Sequence, residues 1–156
     1  GGREHVLAAA AAYERARTID PDFAEAHWRA AQSWFGKATR VNGIIYGEKL
    51  SNTERKAEYL KRVNRAITSS ANDVDRLKYL SAKAVIEMEL RKAHRLMAAY
   101  LRARPRDIDA WEDMAELASF ANEHEWLVRS GERIHILSVE AHEPRSRAIT
   151  VTHTRP

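Results

Sequence analysis

Apolar residues recur at three- and four-residue steps along most of the chain, and a proline or a capping residue cuts the pattern at short intervals. Residues at that spacing share one face of an α-helix but fall on both faces of a strand, so only helices can bury such a stripe. Val6–Thr18 carries Leu7, Ala9, Tyr13 and Ala16. Pro21 then closes it, because the residue before a proline is pushed out of helical geometry. Asp22 with Glu25 three positions on predicts a capping box for a second helix, which has Ala26, Ala30, Trp34 and Ala38 on one face and Trp28 and Phe35 beside it. Gly43 and Gly47 flank an apolar knot, Ile44-Ile45-Tyr46. Ser51-Asn52-Thr53-Glu54 is a second capping box, opening a helix to about Ser69 with Tyr59, Val63 and Ala66 inward.

The second half of the chain repeats the arrangement. Asp73 starts a helix through Leu77, Leu80, Ala84 and on toward Met88; the next runs through Leu90, Ala93, Met97 and Tyr100 and ends before Pro105. Asp107 caps a helix with Ala110, Trp111, Met114 and Ala118, and a last one runs from about His124 to Val139 with Trp126 and Ile136, ending before Pro144. Residues 145–156 lose the helical period; Ala148-Ile149-Thr150-Val151-Thr152 alternates, as a strand added to a neighbour would. The fold class expected is all-α, with seven helices and no confident internal strand.

Composition narrows the function classes. The chain has 156 residues, 44% hydrophobic and 31% charged, enough for one globular domain. The longest uncharged apolar run, Val6–Tyr13, is far short of the roughly 20 residues a membrane span needs, so no membrane partner is expected and a cytoplasmic location is. With no cysteine there is no disulfide, thiolate metal site or thiol nucleophile. Gly1-Gly2 without an initiator methionine reads as a processed or excised piece. The net charge of +4 is too mild to mark a nucleic-acid binder.

The chain also lacks catalytic and cofactor motifs. None of its seven histidines forms H-E-x-x-H, and there is no Gly-rich phosphate loop or nucleophile elbow. Neither a metal, nor a cofactor, nor catalysis is expected. Arg91, Lys92, Arg95, Arg102, Arg104 and Arg106, with Lys61, Arg62 and Arg65, form a basic row that suits either phosphates or solvent; RNA or DNA binding is the less favoured reading because interleaved aromatics are missing.

Segment ends at Pro21, Ala71, Pro105 and Pro144 are 50, 34 and 39 residues apart, against a period of about 34 in tetratricopeptide repeats. Ala9…Tyr13…Ala16…Pro21 followed by Asp22-Phe23-Ala24-Glu25-Ala26 resembles the second helix of such a repeat and the start of the next. Ala93…Met97…Tyr100…Pro105 followed by Asp107-Ile108-Asp109-Ala110-Trp111 repeats it. The likeness covers Val6–Pro144, with Ala71 where proline is usual, His27 where tryptophan is common, a 16-residue excess in the middle pair (insertion about 39–52) and a degenerate last pair. A looser similarity connects residues 72–111 to repeat regions attached to bacterial serine/threonine kinases and transcriptional regulators.

The resemblance implies a right-handed helical-repeat solenoid of about three and a half antiparallel helix pairs over residues 1–144, with an irregular or extended tail at 145–156. It implies a non-catalytic module that presents a concave groove to a peptide or protein segment; the alternative is the regulatory or sensor region of a larger bacterial signalling protein. The family's groove-lining positions fall on Glu25, Trp28, Arg29, Gln32 and Phe35, on Asp75, Lys78, Tyr79 and Ala82, and on Asp109, Glu112, Asp113, Glu116 and Phe120. The family's clamp for acidic C-terminal peptides requires Lys, Arg and Asn there, whereas this groove offers Asp and Glu. A basic-amphipathic partner segment follows as the expectation, beside the plainer reading that acidic and basic helices pair with each other. The chain opens on half a pair and closes without a polar capping helix, so its end faces are expected to meet another domain or a second copy.

Overall fold

A computed structural model describes residues 2–35 and 49–142. Among the described residues every regular element is a helix: α1 (Gly2–Ile19), α2 (Ala24–Trp34), α3 (Asn52–Ser69), α4 (Asp73–Ile86), α5 (Leu90–Ala103), α6 (Ile108–Phe120) and α7 (His124–His142). The Ile44-Ile45-Tyr46 knot, Ala38 and the alternating segment after Pro144 lie outside them. No described helix is long and apolar enough to cross a membrane. The chain divides into two compact units, Gly1–Leu96 and Met97–Pro156, with the boundary inside α5.

In the first unit α1 packs on α2, α2 on α3 and α3 on α4. Its core gathers Trp28, Ala31, Tyr59, Val63, Ala66 and Tyr79, with Trp34, Phe35, Leu60, Ile67 and Ala82 packed around them. Alanines at the contacts let the helix axes approach, and the large rings fill what remains. The α1 stripe is rotated from the expected one: Ala10 is buried, while Ala9 and Tyr13 are exposed. In the second unit α6 packs on α7, burying Ala110, Trp111, Met114, Leu117 and Ala118 of α6 and Ser130 and Leu137 of α7. Ile136 and Val139, read as inward, are exposed instead, because the buried stripe of α7 passes through residues 130 and 137.

The capping signals divide. Ser51 forms the complete box with Glu54, its hydroxyl accepting from Glu54 N–H at 3.2 Å while the Glu54 carboxylate accepts from Ser51 N–H at 3.2 Å. Asp107 accepts from Ala110 N–H at 3.0 Å and also from the Tyr100 hydroxyl at 2.5 Å. The Asp22 box does not form. Helix α2 begins at Ala24 with no side-chain cap, and Glu25 is turned to other partners described below.

Two turns are built identically. Helix α4 stops at Ile86, short of Met88, which adopts φ 62°; Met88 N–H bonds to Val85 O at 3.0 Å and Glu89 N–H to Ala84 O at 2.9 Å. After α6, Asn122 adopts φ 58°, with Asn122 N–H on Ser119 O at 3.4 Å and Glu123 N–H on Ala118 O at 2.8 Å. This is the Schellman closure, which calls for a left-handed residue just past the helix. Asparagine tolerates that conformation; methionine carries a Cβ penalty, and its side chain is 76% exposed and returns little packing. Met88→Gly is therefore expected to raise stability by about 1 kcal/mol, measured by urea denaturation.

Candidate functional site

The positions that the repeat pattern assigns to a groove come together in the first unit where α2 meets α4. The Tyr79 hydroxyl donates to the Glu25 carboxylate at 2.9 Å, across 54 residues of sequence. Arg29 Nε bonds the other oxygen of Glu25 at 3.0 Å, and Lys78 Nζ stands 3.6 Å from the oxygen that accepts from Tyr79. Trp28 packs its ring 5.6 Å from that of Tyr79. Glu25 is thus occupied by α4 and by its own helix, which is why it does not cap α2.

Both rings are part of the core: Trp28 is 6% exposed and Tyr79 2%. Their burial follows from the same spacing that suggested a lining role, since positions 28 and 79 sit between facing helices. Arg29, Gln32, Phe35 and Asp75 are half-buried, and Lys56 lies 5.8 Å over the Phe35 ring. The charge on this patch is mixed, with one carboxylate held between two cations.

In the second unit the acidic residues lie along α6. Asp109 is exposed, Glu112, Asp113 and Glu116 are half-buried, and Phe120 at the end of the helix is 69% exposed. Each of the four carboxylates is already engaged in a polar or electrostatic interaction. No basic residue stands on α6 itself, so its own formal charges are all negative.

A polar cluster that joins α1, α2 and α3 was not legible as a site. Arg62, read in sequence as part of a basic row, has a side chain only 5% exposed. Its Nε bonds Glu14 at 2.6 Å, its Nη1 bonds Glu58 at 2.6 Å, and its guanidinium lies 4.5 Å over the Trp34 ring. Glu14 accepts further bonds from Arg17 at 2.7 Å and the Trp34 indole at 3.1 Å. Burial by itself pushes the Glu14 carboxyl up, but the hydrogen bonds from Arg62, Arg17 and Trp34 outweigh it and hold the group at about 2. Arg62 also holds Glu58 below the usual carboxylate range. The clue was positional: Arg62 falls between Tyr59, Val63 and Ala66 on the inward stripe of α3.

Arg65 is drawn away from the basic row as well, to Asp22 at 3.3 Å and the Pro21 carbonyl at 3.1 Å. That carbonyl also accepts from His27 Nε2 at 2.8 Å and from the Ser69 hydroxyl at 3.3 Å. Trp111 Nε1 makes the matching bond to Pro105 O at 2.8 Å, again six residues back. His27 therefore performs, with a smaller ring, the anchoring that a tryptophan performs at the other proline. Burial lowers the His27 pKa, as do the nearby Arg17 and Arg65. On the remaining basic segment, Lys92 pairs with Glu89 at 3.4 Å and Arg106 with Glu140 at 2.9 Å.

Among the described residues no group of three or more His, Asp or Glu is placed to hold a metal ion. Comparison of the chain with protein-family models, with curated proteins and with solved structures gives no match.

Proposed function

We propose that the chain is a divergent tetratricopeptide-like repeat in which stacked helix pairs form a solenoid that presents side chains to a protein segment, without catalysis. The observation that carries this reading is the doubled turn: Met88 and Asn122 occupy the same left-handed position in the same hydrogen-bonded closure, 34 residues apart. A backbone device recurring at that interval is what a structural repeat requires, and composition alone does not produce it. The Tyr79–Glu25 bond adds support, because it joins the first helix of one pair to the first helix of the next, where the groove of such a stack is built.

The partner class rests on charge. Helix α6 carries Asp109, Glu112, Asp113 and Glu116 with no base among them, although the chain as a whole is positive. A segment with lysines or arginines beside apolar anchors is steered toward that field, and contact with exposed Phe120 supplies apolar burial. A fluorescein-labelled Lys/Leu amphipathic peptide is expected to bind saturably, while an Asp/Leu peptide of the same length does not. The triple variant Asp109→Asn, Glu112→Gln, Asp113→Asn should lower the association rate several-fold and flatten its salt dependence, with the thermal melt unchanged. Equal binding of both peptides removes the charge argument. Unfolding of the triple variant shows instead that these carboxylates serve the fold.

A further inference from the structure

Helix α7 has a second face that the packing on α6 does not use. Ser130 and Leu137 are buried on one side. On the opposite side Glu125, Val128, Glu132, His135, Val139 and His142 follow one another at alternating steps of three and four, and all six are exposed. Val128 is 60% exposed and sits in an open depression lined also by His124, Glu125, Arg129 and Glu132. Such a 3-4 stripe is the seam along which two helices pair at a shallow angle.

The stripe is also its own complement when reversed. Laid antiparallel on a second copy about a two-fold axis between residues 133 and 134, Val128 meets Val139, Glu132 meets His135, and Glu125 meets His142. Each pairing then occurs twice, as an isologous contact demands. Acids on the N-terminal half face imidazoles on the C-terminal half and valine faces valine, whereas a parallel pairing stacks Glu on Glu and His on His. His142 holds its Nδ1 on its own Ser138 carbonyl at 2.7 Å, which leaves Nε2 as the ring's second polar edge.

We infer that the outer face of α7 is a self-association surface, on which two copies of this chain pair antiparallel with Val139 of each seated in the depression beside Val128 of the other. The contact is a single helix pair, well below the roughly 1,200 Å² of a standard interface, so the association is weak and reversible.

Sedimentation equilibrium of the full chain tests this. The average mass should rise toward that of a dimer between roughly 50 µM and 1 mM, the range expected of a contact this small. Val128→Asp and Val139→Asp should each lower the association constant about tenfold or more, with unchanged far-UV circular dichroism, since both side chains are exposed in the monomer. Glu132→His and His135→Glu should each weaken association, and the double exchange should restore it, because an antiparallel pair regains Glu opposite His. A chain that stays monomeric to 1 mM overturns the proposal, as does association that neither aspartate variant weakens. Failure of the double exchange to restore what the single changes lose rules out the antiparallel register.

Discussion

Replacing Arg62 with methionine is expected to lower the unfolding free energy by about 3–4 kcal/mol, read from urea denaturation. The cost comes from what remains. Glu14 and Glu58 lose a shared buried cation at 2.6 Å each, and Glu14 keeps its charge in a half-buried site with only Arg17 and the Trp34 indole to compensate it. Removing both sides of the pair is the informative control: Glu14→Leu with Arg62→Met should cost less than Arg62→Met alone, since apolar groups carry no desolvation debt.

The same network has a pH signature. The Glu14 pKa is about 2 in the folded chain against 4.5 unfolded. The unfolded state therefore binds the extra proton first, and the stabilisation is complete above pH 4.5 and lost as pH falls toward 2. The loss across that window should be about 3 kcal/mol in the native chain and much smaller in Arg62→Met. A variant that loses under about 1 kcal/mol, with its acid limb unchanged, would show that the cluster is peripheral to stability.

Trp111→Ala is the second large effect expected, about 3–5 kcal/mol by denaturant titration. The indole is 4% exposed, stacks 6.4 Å from Trp126 and ties the start of α6 to the Pro105 carbonyl through Nε1 at 2.8 Å. Trp111→Phe separates these contributions. It keeps most of the apolar volume but leaves the carbonyl without its donor, and should cost about 1–2 kcal/mol. A loss below about 1 kcal/mol for the alanine variant would place the ring outside the core.

Local signals carried most of the fold. Helix existence, the Ser51–Glu54 box, the Asp107 cap and the inward stripes Tyr59–Val63–Ala66 and Ala110–Trp111–Met114–Ala118 were legible because each depends on residues within one or two turns. Pro21 and Pro105 stood out in sequence, and each gives its carbonyl to a ring six residues on; Met88 and Asn122 do not look alike in sequence, and only their shared dihedral shows that they close their helices in the same way. Nothing near His27 in sequence showed that its ring would make the bond to Pro21 that Trp111 makes to Pro105.

The candidate site was legible as a set of positions and illegible as surfaces. Helical period says which residues share a face; it does not say how wide a neighbour's contact will be. Trp28 and Tyr79 joined the core that Tyr59, Val63 and Ala66 of α3 build, and Glu25 is engaged instead by a phenol and an ammonium of α4, 54 and 53 residues away. Arg62 was read, on the strength of its charge, as part of a basic row suited to phosphates or solvent. In the fold it is buried because two carboxylates from two helices and an indole meet it there, and a charge goes inside only where partners from elsewhere in the chain await it. The sequence by itself therefore determined the helices, their ends and the inward stripes, all set by interactions within about one turn. Only the tertiary structure decided which polar residues became core and which apolar ones, Val128 and Val139 among them, stayed outside, because that depends on what each helix is packed against.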